Sequence, residues 1–483
     1  MQRTFLTNLA LVLVLNLLVK PFYIFGIDAE VQVRAGTEAY GLYAALLSLS
    51  FLLNILLDLG ITNWNTRHIA QNTHAMQRHV SGILSVRALL AVGYAVVVGL
   101  GALVLGYRGQ ALELLGILVL NQVLAATVLY LRSNLAGAQR YAQDSLLSVM
   151  DRVLLIVLCG WLLWSGGITD FAFRIEWFAW AQTVAYGLTA LTAFVLVRLR
   201  AGALSFGWDG AFSREVLRQS FPYALLVLLM SFYYRTDTVM LERMLPDGAL
   251  QAGIYAQGFR FFEAFNMLGF LFAGLLLPMF SRMLKAGEDV GPLSGLALRL
   301  VLVGSLAIAV LGAFQALPVM ELRYHEHTEE SAPAFAVMIW SFVAVCITYV
   351  FGTLLTASGQ LGLLNRMAAA GMVLNIGLNL WLIPRYQVLG AAWAGLITQG
   401  LTALAQVWIA ARRYRFQVRP GPVWSVVAYL VGLVALGLAS CWSGHSFGLL
   451  LLWFVPAAIA LAVVTRALPL RELLHTLKAD RRR

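Results

Sequence analysis

The residues that could do chemistry in this chain are polar groups set inside long apolar runs. Lys20, Arg235 and Arg260 are basic, Asp58, Asp151, Asp237 and Glu263 are acidic, and Asn375, Asn379 and Thr398 offer amide and hydroxyl oxygens. A charge near the centre of a bilayer costs at least ~2.5–3.5 kcal/mol, so each needs a partner, a wet cavity or a route to the interface. Lys20 lies one turn beyond Asn16, toward the end of its run, where its stem can snorkel to the headgroups. Arg235 and Asp237, two residues apart, fall on nearly opposite helix faces and cannot close on each other. Arg260 and Glu263, three apart, share a face, and an ion pair is their simplest reading. Asp58 follows Asn54 by one turn, Asp151-Arg152 points to an ion pair with a neighbouring helix, and Asp237 has no local partner. Asn375 and Asn379, four apart, face one way; with Thr398 and Asp237 they either complete an oxygen-rich cluster or hydrogen-bond between helices. The run His325-Glu326-His327-Thr328-Glu329-Glu330 contains metal-ligand types, but a short acidic loop of this kind reads better as solvated, and no metal is expected.

The elements that must position these groups follow from composition. Of 483 residues, 60% are hydrophobic and only 12% charged, about half the charge of an average soluble domain; mean hydropathy is +0.80. Apolar runs long enough to cross a bilayer fall at 5–26, 39–62, 83–106, 112–134, 144–165, 174–197, 219–244, 252–281, 292–317, 332–356, 363–384, 388–411, 423–442 and 447–466. The backbone in lipid must satisfy its own hydrogen bonds, and no period-two alternation suggests a barrel, so the chain reads as an all-α polytopic membrane protein of about 14 spans. The run from Phe5 to Phe25 is too long for a signal-peptide core and reads as the first span. The three cysteines, Cys159, Cys346 and Cys441, all sit in apolar runs, which argues against a disulfide framework.

The net charge of +11 is distributed by side rather than by domain. With a cytoplasmic N-terminus, inner segments and their flanks hold 24 of the 34 Lys and Arg residues, outer segments hold six, and Lys20, Arg152, Arg235 and Arg260 lie within spans. A four-to-one inner excess orients both termini to the cytoplasm. The basic surplus then faces anionic membrane lipid, and no nucleic-acid partner is implied. Loops are short, the largest outer one being about 318–331, so no soluble catalytic domain is accommodated and no enzyme is expected. No Gly-rich Walker pattern is present.

The chain carries a weak internal repeat. Gly41-Leu42-Tyr43-Ala44 recurs as Gly253-Ile254-Tyr255-Ala256, and Ala136-Gly137-Ala138-Gln139 parallels Ala357-Ser358-Gly359-Gln360. Both matches join span n to span n+6. Six is even, so the copies run the same way through the membrane and the repeat is parallel. The expected organisation is an N-terminal six-helix lobe (1–205), a C-terminal six-helix lobe (206–415), two further helices (416–466) and a basic cytoplasmic tail (467–483).

Several passages carry a family resemblance. Phe25-Gly26-Ile27-Asp28, Tyr40-Gly41-Leu42-Tyr43 and Leu57-Asp58-Leu59-Gly60 resemble the N-terminal lobe of polysaccharide and O-antigen flippases, members of the multidrug/oligosaccharidyl-lipid/polysaccharide exporter superfamily. Arg235-Thr236-Asp237, Gly253-Ile254-Tyr255, Leu374-Asn375 with Leu378-Asn379, Ile383-Pro384-Arg385-Tyr386 and Gly390-Ala391-Ala392 are similar to its C-terminal lobe. The resemblance implies flipping of an undecaprenyl-pyrophosphate-linked oligosaccharide of the lipopolysaccharide type across the bacterial cytoplasmic membrane by alternating access. It implies a central cavity where Lys20, Arg235 and Arg260 meet the pyrophosphate, cations suited to that ligand. It also implies ion coupling, with H+ and Na+ both open, through Asp237, Asn375, Asn379 and Thr398, with Asp58 and Glu263 as further acids. No cofactor is implied. Polysaccharide polymerase and glycosyltransferases are further candidate partners. The rival readings on the same fold are lipid II transport and drug or cation export. The second predicts a carboxylate-dominated cavity, which three deep basic residues oppose.

Overall fold

The computed structural model describes residues 18–62, 65, 69, 76–138, 140–165, 173–201, 210–416, 420–442 and 446–468. The start of the first span (5–17), much of the polar segment 63–82 and nearly all of the basic tail lie outside the described residues. Among the described residues the regular structure is helical, with no strand. The chain divides into two compact units, residues 1–256 and 257–483, a division that falls later than the lobe boundary expected at 205/206.

The first unit opens with a π-helical turn, Tyr23–Asp28, that runs into α1 (Ala29–Ala35) and α2 (Thr37–Leu52). It continues through α3 (Met76–Val104), α4 (Gln110–Gly137), α5 (Tyr141–Trp164), α6 (Ile175–Ala201) and α7 (Gly210–Met244) into the start of α8 (Gly248–Ala286). The second unit holds the rest of α8 and then α9 (Gly291–Phe314), α10 (Ala316–Glu321), α11 (Thr328–Ala357), α12 (Leu361–Tyr414), α13 (Pro420–Trp442) and α14 (Phe447–Val464). Nine helices among the described residues are long and apolar enough to cross a membrane, so the protein is a multi-pass membrane protein. Small residues make the internal contacts. α6 buries Ala179, Ala185, Thr189, Ala193 and Val197 at helical spacing, while α3 turns Leu89, Val92, Val96 and Leu100 outward, the pattern expected when lipid is the surrounding solvent.

The expected spans differ from the observed helices in three places. The first helix does not stop near residue 26; it continues through the π turn to Ala35 and breaks at Gly36, whose φ of 87° favours glycine. The second, expected as one helix over 39–62, ends at Leu52 and passes through a 3-10 turn, Asn54–Leu57, and left-handed residues at Leu59 and Gly60. Side chains compete with the helix there. The Asp58 carboxylate accepts from the Thr62 backbone N–H at 3.1 Å and also from the Thr62 hydroxyl, capping the restart, and Asn54 donates to Gln122 at 3.0 Å. In the second unit, α12 is a folded-back pair of helices that reverse at Gln387 (φ 50°, ψ −128°). A Cβ on Gly390 would lie 2.5 Å from the Leu382 carbonyl oxygen, and one on Gly371 would meet the Thr402 hydroxyl at 3.4 Å, which fixes the two arms as antiparallel.

The repeated motifs have matching structural jobs. α4 ends at Gly137 and α11 at Ala357, so the second motif closes a helix in each copy. The first motif does more, because its two copies meet. A Cβ on Gly41 would stand 1.8 Å from the carbonyl oxygen of Ala249, and one on Gly253 would stand 2.0 Å from that of Thr37. Ala249 and Gly253 are the repeat partners of Thr37 and Gly41, so the contact is reciprocal, as a local two-fold relation demands. Gln32 fastens it by donating to the Gly253 carbonyl at 2.9 Å. Gly41→Ala and Gly253→Ala therefore each lower stability by about 1–3 kcal/mol, read as a drop in thermal midpoint in detergent. Gly93→Ala, whose new Cβ meets nothing within 4 Å, leaves the midpoint unchanged or slightly raised.

Candidate functional site

In the first unit the basic residues of the spans take three different environments. Lys20, half-buried just ahead of the π turn, is in electrostatic range of Arg152, Asp151 and Arg132. Arg132 is matched by Asp144, to which it donates at 2.7 Å. Arg152 stands 3.7 Å from Asp151 and lies over the Tyr23 ring at 4.6 Å and the Tyr186 ring at 5.8 Å. Arg235 of α7 sits over the Phe51 ring at 4.7 Å.

Asp237, two residues on, is 4% exposed and accepts a hydrogen bond from the Tyr255 hydroxyl at 3.0 Å. Asp237 has no partner within a helical turn, and Tyr255 reaches it from 18 residues away on the next helix, a separation no helical periodicity reveals. Asp28, at the end of the π turn, similarly accepts from Tyr40 at 2.9 Å. The end of α7 is held to the α3–α4 connection by a third acid. Glu242 takes two Arg243 donors at 2.5 Å each and the Tyr107 hydroxyl at 2.5 Å, while Arg243 also reaches the Leu105 carbonyl at 2.8 Å. Burial, and then the hydrogen bond to Glu242, push the Tyr107 phenol upward, which keeps it a donor.

Asp58 is engaged by Arg87 at 2.7 Å, and Arg87 also donates to the Ala126 carbonyl at 2.8 Å and lies 5.1 Å from the Tyr130 ring centroid. The structure buries Arg87 in the α3–α4 packing, where Asp58 and a backbone carbonyl compensate it. A cleft of about 210 Å³ opens beside it, lined mainly by Leu57, Leu84, Ala88, Ala91 and Val123. That is smaller than ordinary small-molecule pockets.

In the second unit, Arg260 donates to Glu263 at 2.6 Å, the i,i+3 pair expected from spacing. Asn375 and Asn379 are fully buried, with Asn379 donating to the Asn375 amide oxygen at 3.2 Å. The antiparallel register of α12 sets Thr398 level with Asn375, and the buried Thr398 hydroxyl has no hydrogen-bond partner. The two amides are thus bonded to each other, and Thr398 lies at the same level on the opposite arm of α12. The acidic outer loop holds a His327–Glu330 contact at 3.1 Å, and no group of three metal-ligating side chains occurs among the described residues.

Sequence reasoning missed Arg87, Glu242 with Tyr107 and Arg243, and the relay in which Gln182 donates to Tyr43 at 2.7 Å and Thr183 to Asn121 at 2.6 Å. Each joins groups more than 25 residues apart, except the adjacent pair Glu242-Arg243. The one available signal was the intramembrane position of each polar residue.

A family model described as polysaccharide biosynthesis protein matches residues 34–284. Among solved structures, the chain is similar to a lipid II flippase, MurJ, in an inward closed conformation, with a TM-score of 0.72 at 11% identity over 96% of this chain and 99% of that one. It is also similar to an inward-facing multidrug-resistance MATE transporter of the MOP superfamily (TM-score 0.61, 15% identity, 81% and 94% covered). A third is a MOP superfamily transporter from Pyrococcus furiosus described by the reverse polarity of its binding pocket (0.58, 16%, 85% and 95%). At these identities the likeness shows the fold. No curated protein sequence matches the chain.

The Asp58–Arg87 pair makes a stability prediction. Arg87→Gln leaves a carboxylate without its ion partner and destabilises the protein toward the lower end of about 3–5 kcal/mol, because Asp58 keeps 24% of its side chain exposed. Adding Asp58→Asn restores part of that loss. Unfolding midpoints of the two single variants and the double variant in detergent give the coupling directly.

Proposed function

The chain belongs to the polysaccharide biosynthesis protein family, and from that premise we propose that it is a flippase, not an enzyme, that moves a polyprenyl-diphosphate-linked oligosaccharide across the bacterial cytoplasmic membrane. The observation that carries this reading is the set of basic side chains kept inside apolar helices: Lys20, Arg152 and Arg235 in the first unit and Arg260 in the second. A diphosphate with a bulky polar glycan cannot enter lipid unaided, and guanidinium and ammonium groups are the side chains that compensate phosphate in a low-dielectric site. Lys20, Arg235 and Arg260 are assigned to the diphosphate. The undecaprenyl chain stays in the bilayer while the headgroup crosses, both termini face the cytoplasm, and alternating access between two halves delivers it to the outer leaflet. Polymerases or glycosyltransferases that make and consume the glycan are the partners this role calls for.

Coupling is assigned to the buried polar groups. The Thr398 hydroxyl, without a hydrogen-bond partner, together with the Asn375 and Asn379 amides offers neutral oxygens suited to Na+. Asp237, with Asp58 and Glu263 as further acids, offers groups that can take a proton. Lipid II-type transport is the nearest alternative and MATE-type cation export the more distant one. The intramembrane cations favour an anionic cargo over an organic cation.

Proteoliposomes loaded asymmetrically with a fluorescent polyprenyl-diphosphate glycan separate these readings. Wild type is expected to expose the glycan to an outside quencher well above empty vesicles, and Lys20→Ala, Arg235→Ala and Arg260→Ala each to slow this at least tenfold while remaining folded. Transport of small organic cations alone would sink the flippase assignment. A separate series in Na+ or in an imposed proton gradient tests coupling: Thr398→Val should abolish the Na+ dependence if Na+ is the ion, and Asp237→Asn the proton dependence if it is H+.

A further inference from the structure

We propose that the end of α12 that carries Arg412 binds the phosphate of an anionic membrane phospholipid, with one acyl chain lying along the outer face of the helix. The inference needs only that α12 spans the membrane, and it is independent of the cargo assigned above. The second arm of α12 turns Trp393, Ile397, Leu401, Leu404 and Trp408 outward at steps of four, four, three and four, and Arg412 is exposed at the next step of four. Ala403, Gln406 and Ala410 are buried on the other side. An exposed apolar stripe on a spanning helix meets lipid, so its last residue stands where hydrocarbon gives way to headgroups. Trp408 is the type of side chain that settles at that boundary. One leaflet of hydrocarbon is about 15 Å deep, roughly ten residues of helix. A chain descending from Arg412 therefore covers Leu404 and Leu401 and ends near Ile397.

The Arg412 guanidinium lies over the Trp408 ring, 4.2 Å from its centroid, and among the described residues its side chain has no hydrogen bond or ion pair. Cation–π contact uses the flat face of the group and leaves its N–H donors in the plane for a forked contact to phosphate. α12 holds a second pair of the same spacing, Trp381 and Arg385 at 5.4 Å, but there the arginine donates to the Trp381 carbonyl at 2.7 Å. Arg413 and Arg415 are exposed beside Arg412, and neither side chain has an ion pair among the described residues. The helix stops at Arg415 in the left-handed region (φ 50°), and Phe416 packs against Phe351 and Tyr414, which fixes this end to the rest of the second unit. Two negative charges oppose an anion here. The helix C-terminus carries about half a unit charge. Asp289, which with Phe416 flanks Gly291, accepts from the Gly291 N–H at 2.9 Å. Three arginines outweigh both. The excess selects a headgroup with net negative charge over a zwitterionic one, whose own cation would be set against the arginines.

The test uses the full-length protein in phosphatidylcholine vesicles that contain either phosphatidylglycerol or phosphatidylcholine brominated near the headgroup end of the acyl chain. Bromine quenches indole emission on contact, and the quenching of wild type minus that of Trp408→Phe isolates Trp408 among the 13 tryptophans. Wild type is expected to favour brominated phosphatidylglycerol at this indole by about fivefold, the factor one basic residue supplies at a charged membrane surface. Arg412→Gln, read against its own Trp408→Phe variant, should lose most of that preference, and Arg412→Lys should keep part of it. Arg385→Gln should leave the preference at Trp408 unchanged. Equal quenching by the two lipids in wild type overturns the proposal, as does an unchanged preference in Arg412→Gln of normal thermal midpoint. An equal loss in Arg385→Gln overturns it as well, by making the preference an effect of overall charge. Displacement of the brominated lipid by an equimolar polyprenyl-diphosphate glycan also overturns it, by giving the site to the cargo. Failure of the flippase reading leaves the lipid preference standing, so the two are separable.

Discussion

Much of the first unit depends on a place where two backbones come too close for any side chain. Gly41 faces the carbonyl of Ala249 and Gly253 faces that of Thr37, at distances where a single methyl would overlap oxygen. In a membrane no hydrophobic gain drives helices together, so close backbone approach supplies the dispersion contact that water would otherwise enforce. The crossing also sets register. Once Gly253 is seated on Thr37, Tyr255 is carried to Asp237, and Gln32 meets the Gly253 carbonyl. The Tyr107–Glu242–Arg243 cluster then secures the end of α7, the helix that bears Arg235 and Asp237. The residues that define the repeat in sequence are the residues that touch.

Within each unit the deep arginines are held in different ways. Arg87 has a carboxylate and a backbone carbonyl at hydrogen-bond distance. Arg132 and Arg260 each have a short carboxylate contact. Such groups hold the helices that carry them, and removing one partner leaves the other buried and uncompensated. Arg152 and Arg235 are instead placed over aromatic faces. The ring quadrupole stabilises the cation and orients its flat face.

Much of this was legible in sequence, for reasons that also mark the limit. The apolar runs fix helix positions because a backbone in lipid has no other way to satisfy its hydrogen bonds, and Arg260–Glu263 was readable because three residues bring side chains onto one face. The repeat glycines were visible as a motif, although nothing in sequence said that the copies meet. The break in the second span was hidden because Leu53 to Gly60 is as apolar as the helix before it. Only the tertiary partners of Asn54 and Asp58, namely Gln122 and Arg87, show why the helix yields there. Asp237 looked isolated for the same reason: a donor 18 residues distant on another helix leaves no periodic trace.

The repeat finally shows where the two copies have parted chemically. Tyr43 and Tyr255 hold equivalent positions, each two residues after its crossing glycine, and both rings are buried. Tyr43 accepts from the amide of Gln182, a group that cannot change charge, and lies 5.5 Å from the Phe178 ring. Tyr255 donates to Asp237, a group that can. A neutral amide at one copy keeps that contact indifferent to protons, whereas a carboxylate at the other must either stay ionised and be compensated or take up a proton in a medium that disfavours charge. The hydroxyl of Tyr255 suits both states, since it donates to the carboxylate and can accept from the acid. The same crossing that fixes the fold therefore sets a neutral amide against one tyrosine and a carboxylate against its repeat partner.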